Sequence, residues 1–274
     1  MSLTTTATLH NGIEIPVLGL GVYKMEEGES VYEAVKSALA LGYRHIDTAS
    51  FYQNEEGVGK AIQDSGVPRD EIFVTTKVWN DQQGYHNTLD AFDQSLEKLN
   101  LDYIDLYLIH WPVPGKYKET WKALEKFYRD GKAKAIGVSN FLPHHLDDLI
   151  QESEIKPMIN QIELHPQLAQ TETRKFCKNH DIIVEAWSPI AKAKYLDDPT
   201  LQNLAKKYSK TPAQIILRWH YQNDIVSIPK SVHEKRQKEN AAIFDFALTS
   251  EDMTAIDMLD QDNRIGPHPD HFPY

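Results

Sequence analysis

The sequence predicts an α/β fold, a (β/α)8 TIM barrel with an N-terminal β-hairpin capping the barrel bottom. Three observations carry that expectation. Eight short apolar, β-branched runs alternate with longer amphipathic stretches, the pattern of βαβ units on a parallel sheet. The 274 residues suit the ~250 that eight such units occupy. The phosphate-binding motifs of open, doubly wound sheets are missing: Gly19-Leu20-Gly21 lacks a third glycine, and Gly59-Lys60, Gly115-Lys116 and Gly131-Lys132 lack the earlier glycine of a P-loop.

Taken in order, residues 8–16 carry Asn11-Gly12 between alternating residues, a strong hairpin signal. A hairpin ahead of the first barrel strand would plug the barrel's lower end. Strands are expected at residues 17–21, 43–47, 72–77, 105–110, 133–138, 158–163, 182–187 and 225–229. Helical periodicity is clear at residues 30–41, 87–99, 117–129 and 212–221. The last of these follows Thr211-Pro212, an N-cap with proline at the first helical position. No linker-like stretch interrupts the alternation, so residues 1–274 read as a single barrel domain.

Composition narrows the partners. Charged residues make up 25% and hydrophobic ones 41%, an ordinary globular balance. A net charge of −11, with no tract of five or more Lys/Arg, repels phosphate backbones and argues against nucleic acid. Cys177 is the only cysteine, which rules out an internal disulfide and a cysteine-based zinc cluster. Residues 1–20 lack the basic start and unbroken apolar run of a signal peptide, and no segment approaches the ~18 apolar residues of a membrane span. A cytoplasmic monomer acting on a small molecule, with no metal and no membrane, is the expectation.

The strand ends say where to look. Nearly every apolar run stops at a polar or ionisable residue: Asp47, Lys77, His110, Asn140, Gln161 with Glu163, Trp187-Ser188, and Lys230-Ser231. In a barrel these ends converge on one mouth, where barrel enzymes do their chemistry. Singly, each has a bland reading: a buried Lys77–Asp47 ion pair, a packed His110, a surface Tyr52. Together they form a proton-donating set. A phenol with a pKa near 10 is a poor acid at neutral pH unless a cation lies beside it. Lys77 would stabilise the phenolate of Tyr52, Asp47 would hold Lys77 charged, and a neutral His110 would orient a carbonyl.

These residues carry a resemblance. From Leu9 to the C-terminus the sequence resembles the aldo-keto reductase superfamily, on three ordered signatures. The first is Gly42-Tyr43-Arg44-His45-Ile46-Asp47-Thr48-Ala49, continuing through Glu55 to Val58-Gly59. The second is Lys134-Ala135-Ile136-Gly137-Val138-Ser139-Asn140-Phe141. The third is Ile228-Pro229-Lys230-Ser231, then Arg236, then Glu239-Asn240. The ending, Arg264-Ile265-Gly266-Pro267 onward, resembles the bacterial branch that includes 2,5-diketo-D-gluconate reductases.

The resemblance implies a catalytic set of Asp47, Tyr52, Lys77 and His110, with Tyr52 as proton donor. It implies that Ser139, Asn140 and Gln161 hold a nicotinamide carboxamide and that Trp187 stacks on the ring. Lys230, Ser231 and Arg236 would surround an adenosine 2′-phosphate, with Glu239 and Asn240 near the adenine. Gly21, Val22, Asp47, Ser188 and Ile190 complete the cofactor set. Many relatives carry glycine at one or both of the positions held here by Ala191 and Ala193, beside Lys192, where glycine lets backbone approach a pyrophosphate. Tyr23, Tyr52, Trp79, His110 and Trp111 would line the substrate side. Few residues follow Arg264 and the loop after His110 is short, so neither builds a deep lid. The implied activity is NADPH-dependent reduction of small aldehydes, α-dicarbonyls or keto-sugars, with NADPH preferred over NADH. The rival readings are a Schiff-base aldolase using Lys77 and a non-catalytic NADP(H)-sensing barrel.

Overall fold

The structure is a computed structural model that describes residues 2–272. The chain begins with a two-stranded antiparallel hairpin, β1 (Thr6–Thr8) and β2 (Glu14–Pro16), in the register Thr6↔Pro16, Ala7↔Ile15 and Thr8↔Glu14. At its turn Gly12 takes the left-handed conformation, and Asn11 accepts from Ile13 N–H at 3.1 Å. The Asn11 amide also donates to the carbonyl of Lys134 at 3.1 Å, near the start of a barrel strand. Leu9 and Ile15 are buried, so the hairpin closes the barrel's N-terminal end as the sequence predicts.

Eight parallel strands follow: β3 (Leu20–Gly21), β4 (His45–Asp47), β5 (Phe73–Val78), β6 (Ile104–Ile109), β7 (Ala133–Ser139), β8 (Ile159–Glu163), β9 (Ile183–Trp187) and β10 (Val226–Ser227). They are hydrogen-bonded in chain order. The sheet curls until its edges meet: Leu18 bridges Ser227 in parallel, Gly19 N–H reaches Ser227 O at 2.9 Å, and Ser227 N–H reaches Val17 O at 3.0 Å. Closure removes the exposed edges that an open sheet would carry.

The first and last barrel strands are shorter than the sequence suggests. Each keeps a two-residue ladder where five residues were expected, and the rest of the seam is held by separate bonds such as Gly21 N–H to Pro229 O at 3.4 Å. Pro229 has no N–H, and a side chain at Gly21 would meet the carbonyl oxygen of Ile228 at 2.8 Å. Gly21 is therefore required by close approach of two backbones at the seam.

The helices are α1 (Glu29–Ala40), α2 (Glu55–Asp64), α3 (Tyr85–Leu99), α4 (Tyr117–Arg129), α5 (Pro143–Ile150), α6 (Thr171–Asn179), α7 (Pro199–Tyr208), α8 (Pro212–Gln222), α9 (Glu234–Ala241) and α10 (Ser250–Asp257). Their apolar stripes face the sheet. In α4 these are Trp121, Ala123, Leu124 and Phe127, and Phe127 stacks on Phe92 of α3 at 4.0 Å. Helix α8 starts as predicted, with Thr211 Oγ1 accepting from Gln214 N–H and the Gln214 side chain accepting from Thr211 N–H. No helix among the described residues is long and apolar enough to cross a membrane.

Candidate active site

The barrel's interior is polar towards its C-terminal mouth. Lys77, on β5, is fully buried, and so is its neighbour Asp47, on β4. Lys77 Nζ donates to Asp47 Oδ1 at 2.7 Å, to Thr48 O at 2.9 Å and to Tyr52 Oη at 3.4 Å. All three ammonium hydrogens are thus directed. Burial pushes Lys77 down, but Asp47 and the phenol of Tyr52 outweigh it, and the net shift is upward. The group is an ammonium; burial raises its partner Asp47 against the pull of Lys77 and Gln161, and the 2.7 Å contact with the ammonium makes Asp47 the carboxylate of the pair.

Tyr52 lies in the loop between β4 and α2. Thr48 Oγ1 donates to Asn54 Oδ1 at 2.7 Å, and the Asn54 amide donates to the carbonyls of Val22 and Met25. Asn54 is fully buried and ties this loop to the one carrying Tyr23. Burial raises the Tyr52 phenol to about 12, against the pull of Lys77. Lys77 alone would favour the phenolate, as the sequence suggests, but burial wins: the resting group is a protonated phenol. Because its oxygen accepts from Lys77, its own hydrogen is left to donate elsewhere.

His110 follows β6, with its ring 5.7 Å from that of Tyr52 at 77°. Burial, and then the charge of Lys77, holds it well below the usual imidazole range, so it is neutral. The aromatic wall is built from Trp79, edge-on to His110 at 4.9 Å, and Phe51, stacked on Trp79 at 3.7 Å. Tyr23 lies 5.0 Å from Tyr52. Trp111 packs against Phe272 at 4.3 Å. Sequence reasoning missed Phe51 and Phe272. The short segment after Arg264 reaches the mouth because Glu163, at the end of β8, accepts from Ile265 N–H at 2.6 Å and Gly266 N–H at 2.8 Å.

The residues expected to hold a nicotinamide are interlocked. Ser139 Oγ donates to Gln161 O at 2.8 Å, and Asn140 N–H donates to the same oxygen at 2.9 Å. The Asn140 amide donates to Ser139 Oγ and His110 O and accepts from Trp187 Nε1 at 2.8 Å. The indole, half-buried, is fixed in orientation. Gln161 Nε2 donates to Asp47 Oδ2 and to Glu185 Oε2, both at 2.7 Å. Both N–H groups of the Asn140 and Gln161 amides and the Ser139 hydroxyl are thus committed to protein acceptors, which turns the Gln161 amide nitrogen inward.

Gly21 and Val22 sit at the mouth end of β3, with Val22 N–H donating to Asp47 O at 3.0 Å. Ser188 and Ile190 follow β9, and the backbone is left-handed at Ser188, Ala191, Lys192 and Ala193. The alanines therefore occupy a conformation that favours glycine. Beyond β10 and into α9, Lys230 and Arg236 are exposed. Among the described residues neither has a side-chain hydrogen bond or ion pair. Ser231 and Asn240 are buried, Glu239 is half-buried, and Ser231 Oγ accepts from His233 N–H at 3.1 Å.

A closed eight-stranded barrel with a buried ammonium, a protonated phenol and a neutral imidazole at its strand ends defines a barrel enzyme. The comparisons make the class specific. Residues 17–261 match the family model described as "Aldo/keto reductase family". The chain is 57% identical to the glyoxal reductase of Bacillus subtilis, covering 99% of this chain and 98% of that protein. It is 48% identical to methylglyoxal reductase DkgA of Salmonella typhimurium, over 99% of both chains. A crystal structure of a Gox0644 mutant in complex with NADPH superposes with a TM-score of 0.94 at 45% identity, covering 98% of this chain and 99% of that one. The chain belongs to the aldo/keto reductase family and is an NADP-dependent oxidoreductase.

Proposed function

We propose that this chain is one barrel domain that reduces small aldehydes and α-dicarbonyls of the glyoxal type to alcohols, using NADPH in preference to NADH. The observation that carries the reading is the Tyr52 hydroxyl, 3.4 Å from the Lys77 ammonium, beside a neutral His110 in a mouth walled by aromatic rings. The bound nicotinamide would supply a hydride to the carbonyl carbon. His110 and Tyr52 would orient and polarise the carbonyl oxygen, and Tyr52 would deliver its proton there as the C–O group takes on negative charge. Lys77, held by Asp47, offsets the phenolate that remains.

Ser139, Asn140 and Gln161 would hold the carboxamide and Trp187 the ring face. Ser188, Ile190, Gly21 and Val22 would line the middle of the cofactor, and Lys230, Ser231 and Arg236 would meet the 2′-phosphate, with Glu239 and Asn240 by the adenine. Two uncommitted cations at the rim suit a dianion. Tyr23, Trp79 and Trp111 would line a pocket sized for small carbonyls; keto-sugars fit less closely than α-dicarbonyls, given the two dicarbonyl-reducing relatives. The aldolase reading fails on chemistry: a Schiff base needs a free amine, and Lys77 is a charged, fully engaged ammonium. A cofactor sensor would have no use for a proton donor. A cytoplasmic monomer remains our reading, with Cys177 a buried free thiol.

The test is NADPH oxidation over a panel of glyoxal, methylglyoxal, simple aldehydes and keto-sugars. Turnover strongest with the dicarbonyls supports the proposal. Cofactor binding with no turnover on any carbonyl would favour the sensor.

A further inference from the structure

Behind the candidate catalytic set lies a carboxyl that the mechanism does not use. Glu185, in the middle of β9, points into the barrel and is fully buried. It is the register partner of Gln161 on β8. Gln161 Nε2 bridges Glu185 Oε2 and Asp47 Oδ2 at 2.7 Å each. Glu185 Oε1 has no hydrogen-bond partner among the described residues, and His45 Nε2 lies 3.6 Å from it. A buried oxygen without a partner asks for an explanation.

Charge supplies it. The groups that face Glu185 are His45 and Asp47 from β4, Lys77 from β5 and Gln161 from β8; its register partner on β10 is Val226. Two carboxyls share one cation, and Asp47 holds that cation at 2.7 Å. His45 cannot serve as a second, because burial drives it down to about 3. Burial, and then the charge of Asp47, raises Glu185 to about 8. At neutral pH it carries a proton, and the unpartnered Oε1 is the oxygen left to hold it, since His45 Nε2, 3.6 Å away, already meets Thr75 Oγ1 at 3.2 Å. The ionised Asp47 also fixes the Gln161 amide: reversed, its oxygen would lie against the carboxylate.

We propose that Glu185 is a positioning residue for the reduction, tethering the Gln161 amide with its NH2 turned inward and its oxygen free for a nicotinamide carboxamide, and sparing the interior a second negative charge. The inference rests on the NADPH-dependent reading of the site. Each half has its own consequence. Without the tether Gln161 turns freely about one remaining bond, and the carboxamide loses a fixed acceptor. When Glu185 ionises, a second carboxylate lies behind Asp47, the Tyr52 phenolate is harder to form, and proton delivery slows.

The experiment compares Glu185→Ala and Glu185→Gln with the unmodified protein. NADPH affinity is read by tryptophan fluorescence, kcat for methylglyoxal from pH 6 to 10, and stability by urea unfolding from pH 4 to 9. Glu185→Ala should weaken NADPH about tenfold, one lost hydrogen bond of about 1.4 kcal/mol. Glu185→Gln keeps the volume and an oxygen for Gln161, so it should restore affinity to within about twofold. It should also abolish the fall in kcat through about pH 8. A carboxyl raised in the folded state favours folding below its ordinary value and loses that contribution as pH climbs to the raised one. The stability advantage of Glu185→Gln should therefore widen between pH 4.5 and about 8 and level off above. If both variants bind NADPH equally well and neither profile moves, the proposal is overturned. It is also overturned if Glu185→Gln binds as weakly as Glu185→Ala with unmoved profiles, the mark of a packing role alone. An unmodified protein that neither binds NADPH nor reduces carbonyls would instead refute the functional reading, while the unfolding arm would still test the protonation of Glu185.

Discussion

At the inner end of the candidate cofactor site Ser139, Asn140, Gln161 and Trp187 are locked to one another and to Asp47 by hydrogen bonds of 2.7–3.1 Å. At the outer rim Lys230 and Arg236 stand exposed. The difference follows from water. Inside the barrel an unpaired donor or charge has no solvent to fall back on, so polar groups are paired with one another wherever the geometry allows and a change in one strands its neighbours. At the rim water holds the cations until an anion arrives, and each acts alone. The inner end should therefore respond to mutation sharply and collectively, the rim mildly and selectively.

The comparison breaks most visibly at Tyr52. Tyr52→Phe removes one hydroxyl and should lower kcat by roughly 10²–10⁴-fold, with NADPH affinity nearly unchanged by fluorescence titration. A variant that kept most of its kcat would remove Tyr52 as donor. Lys77→Met tests the collective character. It strands Asp47, so both activity and stability should fall, the latter by about 3–5 kcal/mol in urea unfolding. A folded variant reducing aldehydes at the parent rate would show that the buried pair is scaffolding only.

Arg236→Ala sharpens the contrast at the rim. A charge-assisted contact contributes about 1.5–3 kcal/mol, so the NADPH dissociation constant should rise about tenfold or more while that for NADH barely moves. The gap should shrink in high salt, because an exposed contact is screened. Equal weakening of both cofactors would mean that Arg236 supports the fold or the adenine instead. The smallest effect is expected between the two ends. Ala193 is exposed in the left-handed region, at φ 63°, and Ala193→Gly should stabilise the protein by up to about 1 kcal/mol by relieving that conformation. A lower melting temperature would mean that the added chain freedom outweighs the strain.

Much of this architecture was legible in the chain. The alternation of runs gave the barrel, Asn11-Gly12 gave the plug, and the polar residues closing each run gave the mouth, because strand periodicity and turn chemistry are local. Asp47, Tyr52, Lys77 and His110 come together as expected. What escaped was set by neighbours distant in sequence. Helix α2 was obscured by Gly57 and Gly59, which weaken helical propensity; Gly59 allows contact with the backbone of Leu99, where an added side chain would overlap. Phe272 gave no signal, because its place depends on Glu163 holding the preceding segment. Glu185 had a signal that went unused: a carboxyl in the middle of the apolar run 182–187 must face either solvent or a partner.

Sequence by itself determined the order of elements, the ends at which chemistry collects and the residue types available there. Periodicity, caps and turns act over a few residues, and they fix those things before any long-range contact forms. Tertiary structure alone decided the protonation states. Tyr52 rests as a protonated phenol because burial outweighs Lys77, and Glu185 keeps its proton because one cation cannot balance two carboxyls. A pKa depends on the field from every charge nearby and on the loss of water, and both exist only once the barrel has closed.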